Sequence, residues 1–370
     1  MKIICSKDKL LTGLSIASKA VPSKTTMSIL QCILIDARYD EIKLIANDME
    51  LGIETVIEGQ IEKKGMIALD AKIFFDIIRK LSDESDITIE SDDTLRTSIT
   101  SGKAKFNIIG KSGDDFSFLP QIEHSDSIVL SQYTLKEVIR QTIFSISDND
   151  NNPLMSGELF DINEDKLKVC SLDGHRISIR NIALKNVYAS KKVIVPGKTL
   201  NEVSKIIGGD TDKDVSIFFT PNHILFEFDS TIVLSRLIEG EYFNVDQMIT
   251  PDYETKITVN RHELLECIDR STLLVKDGDK RPIIINITDG SLELKINSTM
   301  GSMNEDIDIT KEGKDIMIGF NPKFVMDVLR VIEDEEISLY MVNPKAPCFI
   351  RDDESKYIYL VLPVNFTTVS

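Results

Sequence analysis

The chain repeats one pattern three times at intervals of about 125 residues, and this repeat restricts the possible folds more than any other feature of the sequence. A helix-like segment with an acid, an apolar residue and a base in constant register occurs at 74–81, 200–207 and 325–332. A strand-like segment recurs at the same interval, at 42–45, 167–170 and 292–295. Internal repeats arise when copies of one folding unit follow one another in a chain. The repeat therefore predicts three copies of one domain, at 1–125, 126–253 and 254–370.

Each predicted domain contains two helices, and their starts are spaced by 61 to 66 residues. Apolar periodicity predicts these helices at 7–20, 71–81, 132–146, 198–207, 260–272 and 321–332. Runs of β-branched or alternating residues between them predict strands, for example at 87–90, 215–219 and 283–286. Each domain thus consists of two half-units of β-α-β-β-β type. The predicted fold class is α+β, with helices layered on one face of antiparallel sheets.

Composition excludes several classes of protein. Apolar residues make up 42% of the chain and charged residues 28%, which is typical of a globular protein, and no apolar run approaches the roughly 20 residues that span a bilayer. The N-terminus lacks the apolar core of a signal peptide. The five cysteines are scattered and form no paired C-x-x-C motif, at Cys5, Cys32, Cys170, Cys267 and Cys348. We therefore expect a cytoplasmic protein with reduced thiols and without a metal, a disulfide or a cofactor.

Charge is distributed unevenly along the chain. The formal net charge is −17, which argues against a nucleic-acid partner, yet the six predicted helices together carry +6 and the remainder −23. Arg79, Lys205 and Arg330 occupy one position of the triplicated helix. Three bases brought around a common axis would make weak, sequence-independent contacts with phosphates. The alternative is that they only make the helices soluble.

Two short motifs raise the possibility of an enzyme. The segment 196–199 (Pro-Gly-Lys-Thr) resembles part of a phosphate-binding loop, but Lys192 stands where that loop needs a glycine. His175 lies in a compact polar motif and is a conceivable catalytic base, although no nucleophile is tied to it. The repeat offers a structural interpretation of that motif, a hairpin tip shared by all three domains, because Asp173 aligns with Asp48 and Ser298.

The whole chain resembles one known family, the bacterial sliding clamps, which are the β subunits of DNA polymerase III. The resemblance covers residues 1–366 and is carried by 46–50 (Ala-Asn-Asp-Met-Glu), 172–177 (Leu-Asp-Gly-His-Arg-Ile), 320–325 (Phe-Asn-Pro-Lys-Phe-Val) and 359–364 (Tyr-Leu-Val-Leu-Pro-Val). It implies a head-to-tail homodimeric ring of six domains, with helices lining a hole around duplex DNA and antiparallel sheets outside. Catalysis is not implied.

The resemblance also implies three sets of functional residues. The DNA-facing bases would be Lys24, Arg79, Lys198, Lys205 and Arg330, with Lys24 in place of a loop arginine. The dimer interface would include Phe106, Ile108, Thr272 and Leu273. An apolar cleft between the second and third domains would bind partner peptides through Met155, Leu172, Gly174, His175, Arg176, Ile177, Phe243, Met248, Leu360, Leu362, Pro363 and Val364.

Some positions depart from the family pattern. Phe243 stands where a proline is usual, Asp246 and Gln247 replace common bases, and Asn365 replaces a frequent arginine. These departures concern the rim of the cleft and therefore its peptide preference.

The function expected from the resemblance is that of a processivity clamp for the replicative polymerase, in the cytoplasm at the nucleoid. Expected partners are duplex DNA, the polymerase catalytic subunit, the clamp loader, and repair proteins such as translesion polymerases, ligase and mismatch-repair factors, with no membrane. Two other classes stay open. A DNA-free scaffold would bind peptides without being retained on circular DNA, and a phosphotransferase using Lys198 or His175 would bind nucleotides.

Overall fold

The computed structural model describes residues 1–83, 85–120, 122, 127–147, 152–275 and 281–366. The predicted domain boundary at 126 and the final residues 367–370 of the third predicted domain lie outside these ranges. The helices of the described chain are α1 (Lys7–Ala17), α2 (Ala71–Lys80), α3 (Gln132–Thr142), α4 (Gly197–Ile206), α5 (Arg261–Thr272) and α6 (Pro322–Val331). All six predicted helices are confirmed. None of the helices in these ranges is long and apolar enough to cross a membrane.

Short polar side chains start the helices. The carboxylate of Asp70 accepts a hydrogen bond from the backbone N–H of Ile73 (2.9 Å), and the Asn321 side chain accepts one from Lys323 (3.0 Å). Such caps satisfy N–H groups that have no partner within the helix. Helices α1 and α3 end earlier than predicted, and each continues as a 3-10 turn, at Ser18–Ala20 and Ile143–Ser145.

Antiparallel strands fill the intervals between the helices. The first repeat contains β1 (Lys2–Cys5), β2 (Cys32–Ala37), β3 (Ile42–Asn47), β4 (Leu51–Ile57), β5 (Gln60–Lys63), β6 (Gly65–Asp70), β7 (Ile87–Ser91), β8 (Arg96–Ser101) and β9 (Ala104–Ile109). The second contains β10 (Ser127–Ser131), β11 (Gly157–Leu172), β12 (Arg176–Pro196), β13 (Asp214–Phe219), β14 (His223–Phe228) and β15 (Thr231–Arg236). The third contains β16 (Thr255–Asn260), β17 (Ile283–Thr288), β18 (Ser291–Asn297), β19 (Ser302–Asp308), β20 (Thr310–Gly313), β21 (Ile316–Phe320), β22 (Glu336–Met341), β23 (Cys348–Arg351) and β24 (Tyr357–Val361).

The first compact unit comprises Met1–Lys136 and Lys198–Leu237. It contains a five-stranded sheet in the order β5-β1-β7-β8-β9 and an eight-stranded sheet in the order β10-β13-β14-β15-β4-β3-β2-β6. The pairing of β15 with β4, for example Val233 with Ile53, continues the eight-stranded sheet from the first repeat into the second. Helices α1 and α2 cover the sheets with fully buried side chains such as Leu10, Leu14 and Phe74.

The second compact unit comprises Glu137–Gly197 and Ile238–Ser370. It contains a seven-stranded sheet in the order β11-β12-β24-β23-β22-β16-β20 and a four-stranded sheet in the order β19-β18-β17-β21. Strand β12 pairs with β24, so that Ile177 lies opposite Leu360 and the sheet continues from the second repeat into the third. Helices α5 and α6 pack together over an apolar core that includes Leu264, Ile268 and Leu329.

The α+β prediction is confirmed, with open antiparallel sheets. The repeated strand appears as β3, β11 and β18, and the repeated helix as α2, α4 and α6. The compact units, however, divide the second repeat between them, because its strands extend the sheets of both neighbouring repeats. A strand at a domain edge carries unpaired N–H and C=O groups, and pairing with the next repeat satisfies them.

Candidate peptide-binding cleft and nucleic-acid interface

A tight turn joins β11 to β12 and carries the polar motif of the second repeat. Asp173 Oδ1 accepts hydrogen bonds from the backbone N–H groups of His175 (2.9 Å) and Arg176 (3.1 Å), so the carboxylate closes the turn. Gly174 has a φ of 86°, in the left-handed region that glycine adopts at little cost. The motif therefore has a structural role, since its acid is used by the backbone.

The same turn recurs in the other repeats. The backbone N–H of Asp48 donates to the carbonyl of Leu51 (3.0 Å), and that of Ser298 donates to Gly301 (2.9 Å). Met49 takes the place of the glycine in the first repeat and has a φ of 78°. The predicted hairpin tip shared by all three repeats is confirmed.

Arg176 is buried, with 7% of its side chain exposed, and joins three parts of the second unit. Its guanidinium donates to Asp173 Oδ2 (2.9 Å), to Asp327 Oδ2 (2.7 Å) and to the carbonyl of Phe144. It also lies over the ring of Phe324, 4.5 Å from the centroid. These contacts leave little of Arg176 for a ligand, so its role is to hold the turn against helix α6.

Half of the predicted cleft residues lie in one apolar cluster of the second unit. They come from β11, β12, the chain around β24 and the segments just before β11 and after β15, and are Met155, Leu172, Ile177, Phe243, Leu360 and Leu362. The backbone N–H of Leu362 donates to the carbonyl of His175 (2.9 Å), which ties the end of β24 to the hairpin tip. Leu172, Ile177 and Leu360 are buried in the cluster, and the partly buried Met155, Phe243 and Leu362 form its accessible edge. An apolar edge beside polar backbone suits a peptide with apolar anchors.

The other predicted cleft residues are not members of this cluster. Met248, at the end of the 3-10 turn Val245–Met248, is 47% exposed. His175 is exposed and stacks on Phe324, with ring centroids 5.9 Å apart. Val364 is tied away from the cluster, since its backbone N–H donates to the carbonyl of Gly319 (2.8 Å).

The cluster also contains residues that the sequence reasoning missed. Tyr242, Val245, Tyr340 and Phe349 pack in it, and the short apolar runs at 339–342 and 348–350 were the available signal for the last two. The Tyr242 hydroxyl donates to the carbonyl of Gly157 (3.4 Å), and burial raises the pKa of this phenol far above its usual range.

A buried carboxyl group lies in the same unit. Glu158 is fully buried, and its Oε2 accepts a hydrogen bond from the Thr142 hydroxyl (3.1 Å). Among the described side chains, none supplies a partner for its Oε1. Burial raises the pKa of Glu158 well above its usual value, because a charged carboxylate is poorly solvated in the protein interior.

The predicted DNA-facing bases are accessible. The side chains of Arg79, Lys198, Lys205 and Arg330 are each more than half exposed, and Lys24 is exposed in the loop after α1. Each of the four makes one ion pair, and an ion pair is weak where water can reach it. A ligand with denser negative charge can therefore compete for them.

The acid–base pair of the repeated helix forms in two of the three copies. Arg79 contacts Asp76 and Lys205 contacts Glu202, each at 2.8 Å. In the third copy Asp327 is bound by Arg176, and Arg330 approaches Asp269 of helix α5 instead (3.5 Å).

The segment that resembles a phosphate loop has a packing explanation. A side chain on Gly197 would meet the backbone carbonyl of Ser156 at 2.9 Å, so glycine is needed for close approach. The Thr199 hydroxyl is buried and shares a hydrogen bond with that of Ser235 (2.6 Å), and Lys198 pairs with Asp48. Within the described ranges, no group of three or more His, Cys, Asp or Glu side chains could hold a metal ion.

The predicted dimer residues lie at sheet edges and a helix end. Phe106 and Ile108 are on β9, an edge strand, and Phe106 is 39% exposed. Leu273 follows helix α5 and is 75% exposed. Ile109 was missed, although at 80% it is the most exposed large apolar residue of the described chain. Exposed apolar side chains on a sheet edge are typical of an interface.

Family comparisons cover nearly the whole chain. The N-terminal, central and C-terminal domain families of the DNA polymerase III beta subunit match residues 1–120, 129–244 and 246–365. A protein named Beta sliding clamp from Staphylococcus aureus is 33% identical, over 99% of each chain.

Solved structures show the same similarity. A structure from Eubacterium rectale that carries the same subunit name is 70% identical, with a TM-score of 0.96 over 99% of this chain and 100% of that one. The DNA polymerase sliding clamp of Bacillus subtilis is 33% identical, with the same TM-score and the same coverage.

Proposed function

This chain belongs to the family of DNA polymerase III beta subunits, the beta sliding clamps, and we propose that it encloses duplex DNA as a homodimeric ring. Members of this family are non-catalytic processivity subunits of the DNA polymerase III holoenzyme. The chain is accordingly a replication clamp, and the polymerase catalytic subunit supplies the chemistry. The proposal concerns its surfaces and partners.

The observation that carries the proposal is the triplicated base on α2, α4 and α6. Arg79, Lys205 and Arg330 hold one register and remain more than half exposed in a protein with a net charge of −17. The helices carry net positive charge and the rest of the chain carries net negative charge. Phosphates are therefore attracted to the helices and repelled by the rest. Lys24 and Lys198 add to this basic set.

The ring would close by a heterologous contact between the first repeat of one protomer and the third repeat of its partner. Strand β9, with Phe106, Ile108 and Ile109, would pack beside Thr272 and Leu273 of the partner. This contact would cover apolar side chains and pair an otherwise open sheet edge.

The apolar cluster with Leu172, Ile177, Leu360 and Leu362 would bind short peptides of partner proteins. The pocket suits Leu or Phe anchors, and Met155 and Met248 at its margin can adapt to different side chains. The proposed partners are the replicative polymerase, the clamp loader, and repair proteins including translesion polymerases, ligase and mismatch-repair factors. The proposed location is the cytoplasm, at the nucleoid.

The deciding experiment compares retention on nicked circular and linearised DNA after loading with the cognate loader and ATP. We expect retention on the circle and loss from the linear form, because a ring slides off an open end. Equal retention on both would mean ordinary surface binding and would contradict enclosure. If the protein is found on neither DNA, although the same loader places another clamp on the circle, the DNA-free peptide scaffold would be favoured.

A further inference from the structure

A cavity of about 570 Å³ opens beside the long β11–β12 hairpin of the second unit. The pairing of the two strands is irregular there, since Ile162 lies opposite Lys191 whereas Lys166 lies opposite Ala183. Between these two pairs the chain advances by four residues on β11 and by eight residues on β12. Extra residues of this kind bend a strand out of the sheet, which leaves room between the strands.

The cavity is basic in an acidic protein. Four lysines line it, at Lys166, Lys168, Lys191 and Lys192, against two aspartates. Both aspartates are already engaged by lysine: Lys168 Nζ lies 2.9 Å from Asp246, and Lys192 Nζ lies 3.2 Å from Asp161. Lys166 and Lys192 are exposed there, and because solvent weakens an exposed ion pair, their charge can still attract an anionic ligand.

The lysines continue the surface of the apolar cleft. Side chains two residues apart on a strand share a face, so Lys166 and Lys168 follow Cys170 and Leu172 of the apolar cluster on β11. Asp246, which binds Lys168, belongs to the 3-10 turn that also carries Met248. From Leu172 to Lys168 the strand covers about 13 Å, roughly four extended residues of a bound peptide.

We propose that this lysine pocket binds acidic residues that flank the apolar anchor of a peptide held in the cleft. The inference rests on the proposed function of the cleft and specifies which partners fit it best. A peptide is favoured over a nucleotide because none of the described residues lining the cavity is aromatic, so a base would have no ring to stack on. The carboxylates of an acidic peptide can be bound by the lysine ammonium groups that line the cavity.

The test uses the full-length protein and fluorescein-labelled synthetic peptides with the same Leu and Phe anchor. One peptide has a neutral extension, and two others carry three glutamates about four residues before or after the anchor. Their affinities are measured by fluorescence anisotropy with the wild type and with K166Q/K192Q, two lysines that are exposed at the cavity. Variant K64Q/K213Q is the matched control, because it removes two exposed, ion-paired lysines of the other unit.

One acidic peptide is expected to bind the wild type about two- to tenfold more tightly than the neutral peptide, since two exposed charge pairs are gained. K166Q/K192Q should abolish this difference without changing the affinity of the neutral peptide, and K64Q/K213Q should retain it. The difference should also shrink between about 0.05 M and about 0.5 M salt.

Two results would overturn the lysine pocket while leaving the cleft intact: neither acidic peptide binds more tightly than the neutral one, or K166Q/K192Q keeps the full difference. Failure of the neutral peptide to bind at all would instead refute the proposed cleft, and the lysine pocket with it.

Discussion

At the scale of single residues, the buried Arg176 beside the proposed cleft binds one acid close to it in sequence and one far away. Arg176 donates to Asp173 nearby and to Asp327, 151 residues further on. Breaking a buried ion pair by removing one partner is costly, because the other charge stays desolvated. In this protein that cost applies to two carboxylates at once.

Replacing Arg176 by alanine should lower the free energy of unfolding by about 3–5 kcal/mol, because Asp173 and Asp327 would lose their buried cation. Urea unfolding followed by circular dichroism measures this. Replacing Arg236, an arginine that pairs with Glu50 and is half exposed, provides the control and should have little effect. Equal effects of the two variants would contradict a structural role specific to Arg176.

The buried Glu158 should make stability depend on pH. Its pKa is raised in the folded protein, so between the usual carboxyl pKa and this raised value the folded state holds a proton that the unfolded state has lost. Stability must therefore fall as pH rises through that window, by up to about 1.4 kcal/mol per pH unit.

Replacing Glu158 by glutamine should remove this dependence, because an amide does not titrate. The difference in melting temperature, variant minus wild type, should grow from pH 5 to pH 8, as measured by thermal unfolding across that range. A difference that stays constant with pH would show that Glu158 does not titrate as described.

At the scale of secondary-structure elements, the three repeated helices present equivalent bases, and their contribution to DNA binding can be tested together. The charge reversals R79E, K205E and R330E, combined in one protein, should strongly lower the amount of clamp retained on nicked circular DNA, because three phosphate contacts become repulsions. Binding of an anchor peptide should stay unchanged, which separates this effect from misfolding. Unaltered retention would mean that the bases only make the helices soluble.

The hairpin tips of the first and second repeats are equivalent, but their surroundings differ. In the first unit, Leu119 packs against Gly52, beside a cluster formed by Phe218, Leu225 and Leu234. The cavity left at this place is only about 90 Å³, too small for a peptide. Residues 117–120 of the chain therefore fill the groove that corresponds to the proposed peptide cleft.

We expect one anchor peptide to bind per protomer of the wild type, and Leu119→Ala to add a second, weaker binding event by opening this groove. Isothermal titration calorimetry gives the stoichiometry directly. Two equivalent sites in the wild type would contradict the interpretation of Leu119 as a plug.

At the scale of the whole molecule, formation of the proposed dimer should depend on exposed apolar side chains on the edge strand β9 and at the end of helix α5. Placing a charge at Ile109 or Leu273, as Ile109→Asp or Leu273→Asp, should weaken the dimer by about two orders of magnitude, because a buried carboxylate would lack a partner. Light scattering after size-exclusion chromatography measures the mass.

The matched control is Val187→Asp, which charges an equally exposed apolar side chain on β12, a strand that contributes no residue to the proposed interface. It should leave the mass unchanged. Dimers of normal stability in both Ile109 and Leu273 variants would exclude this pairing of surfaces.

The sequence alone determined the repeated pattern and the local structure. Apolar spacing located all six helices, and the alignment of Asp173 with Asp48 and Ser298 anticipated the shared turn. Both signals are local, since they depend on periodicity and on hydrogen bonds between near neighbours.

Only the tertiary structure decided which distant groups meet. It joins the strands of the second repeat to both neighbours, brings Asp327 to Arg176, and sets Lys168 against Asp246, 78 residues away. The repeat places an acid and a base three residues apart in each copy of the helix, but they pair in only two copies, because a buried arginine binds the acid of the third. Such pairings depend on which sheet edges join and which charges become buried, and neither property has a periodic signature in the sequence.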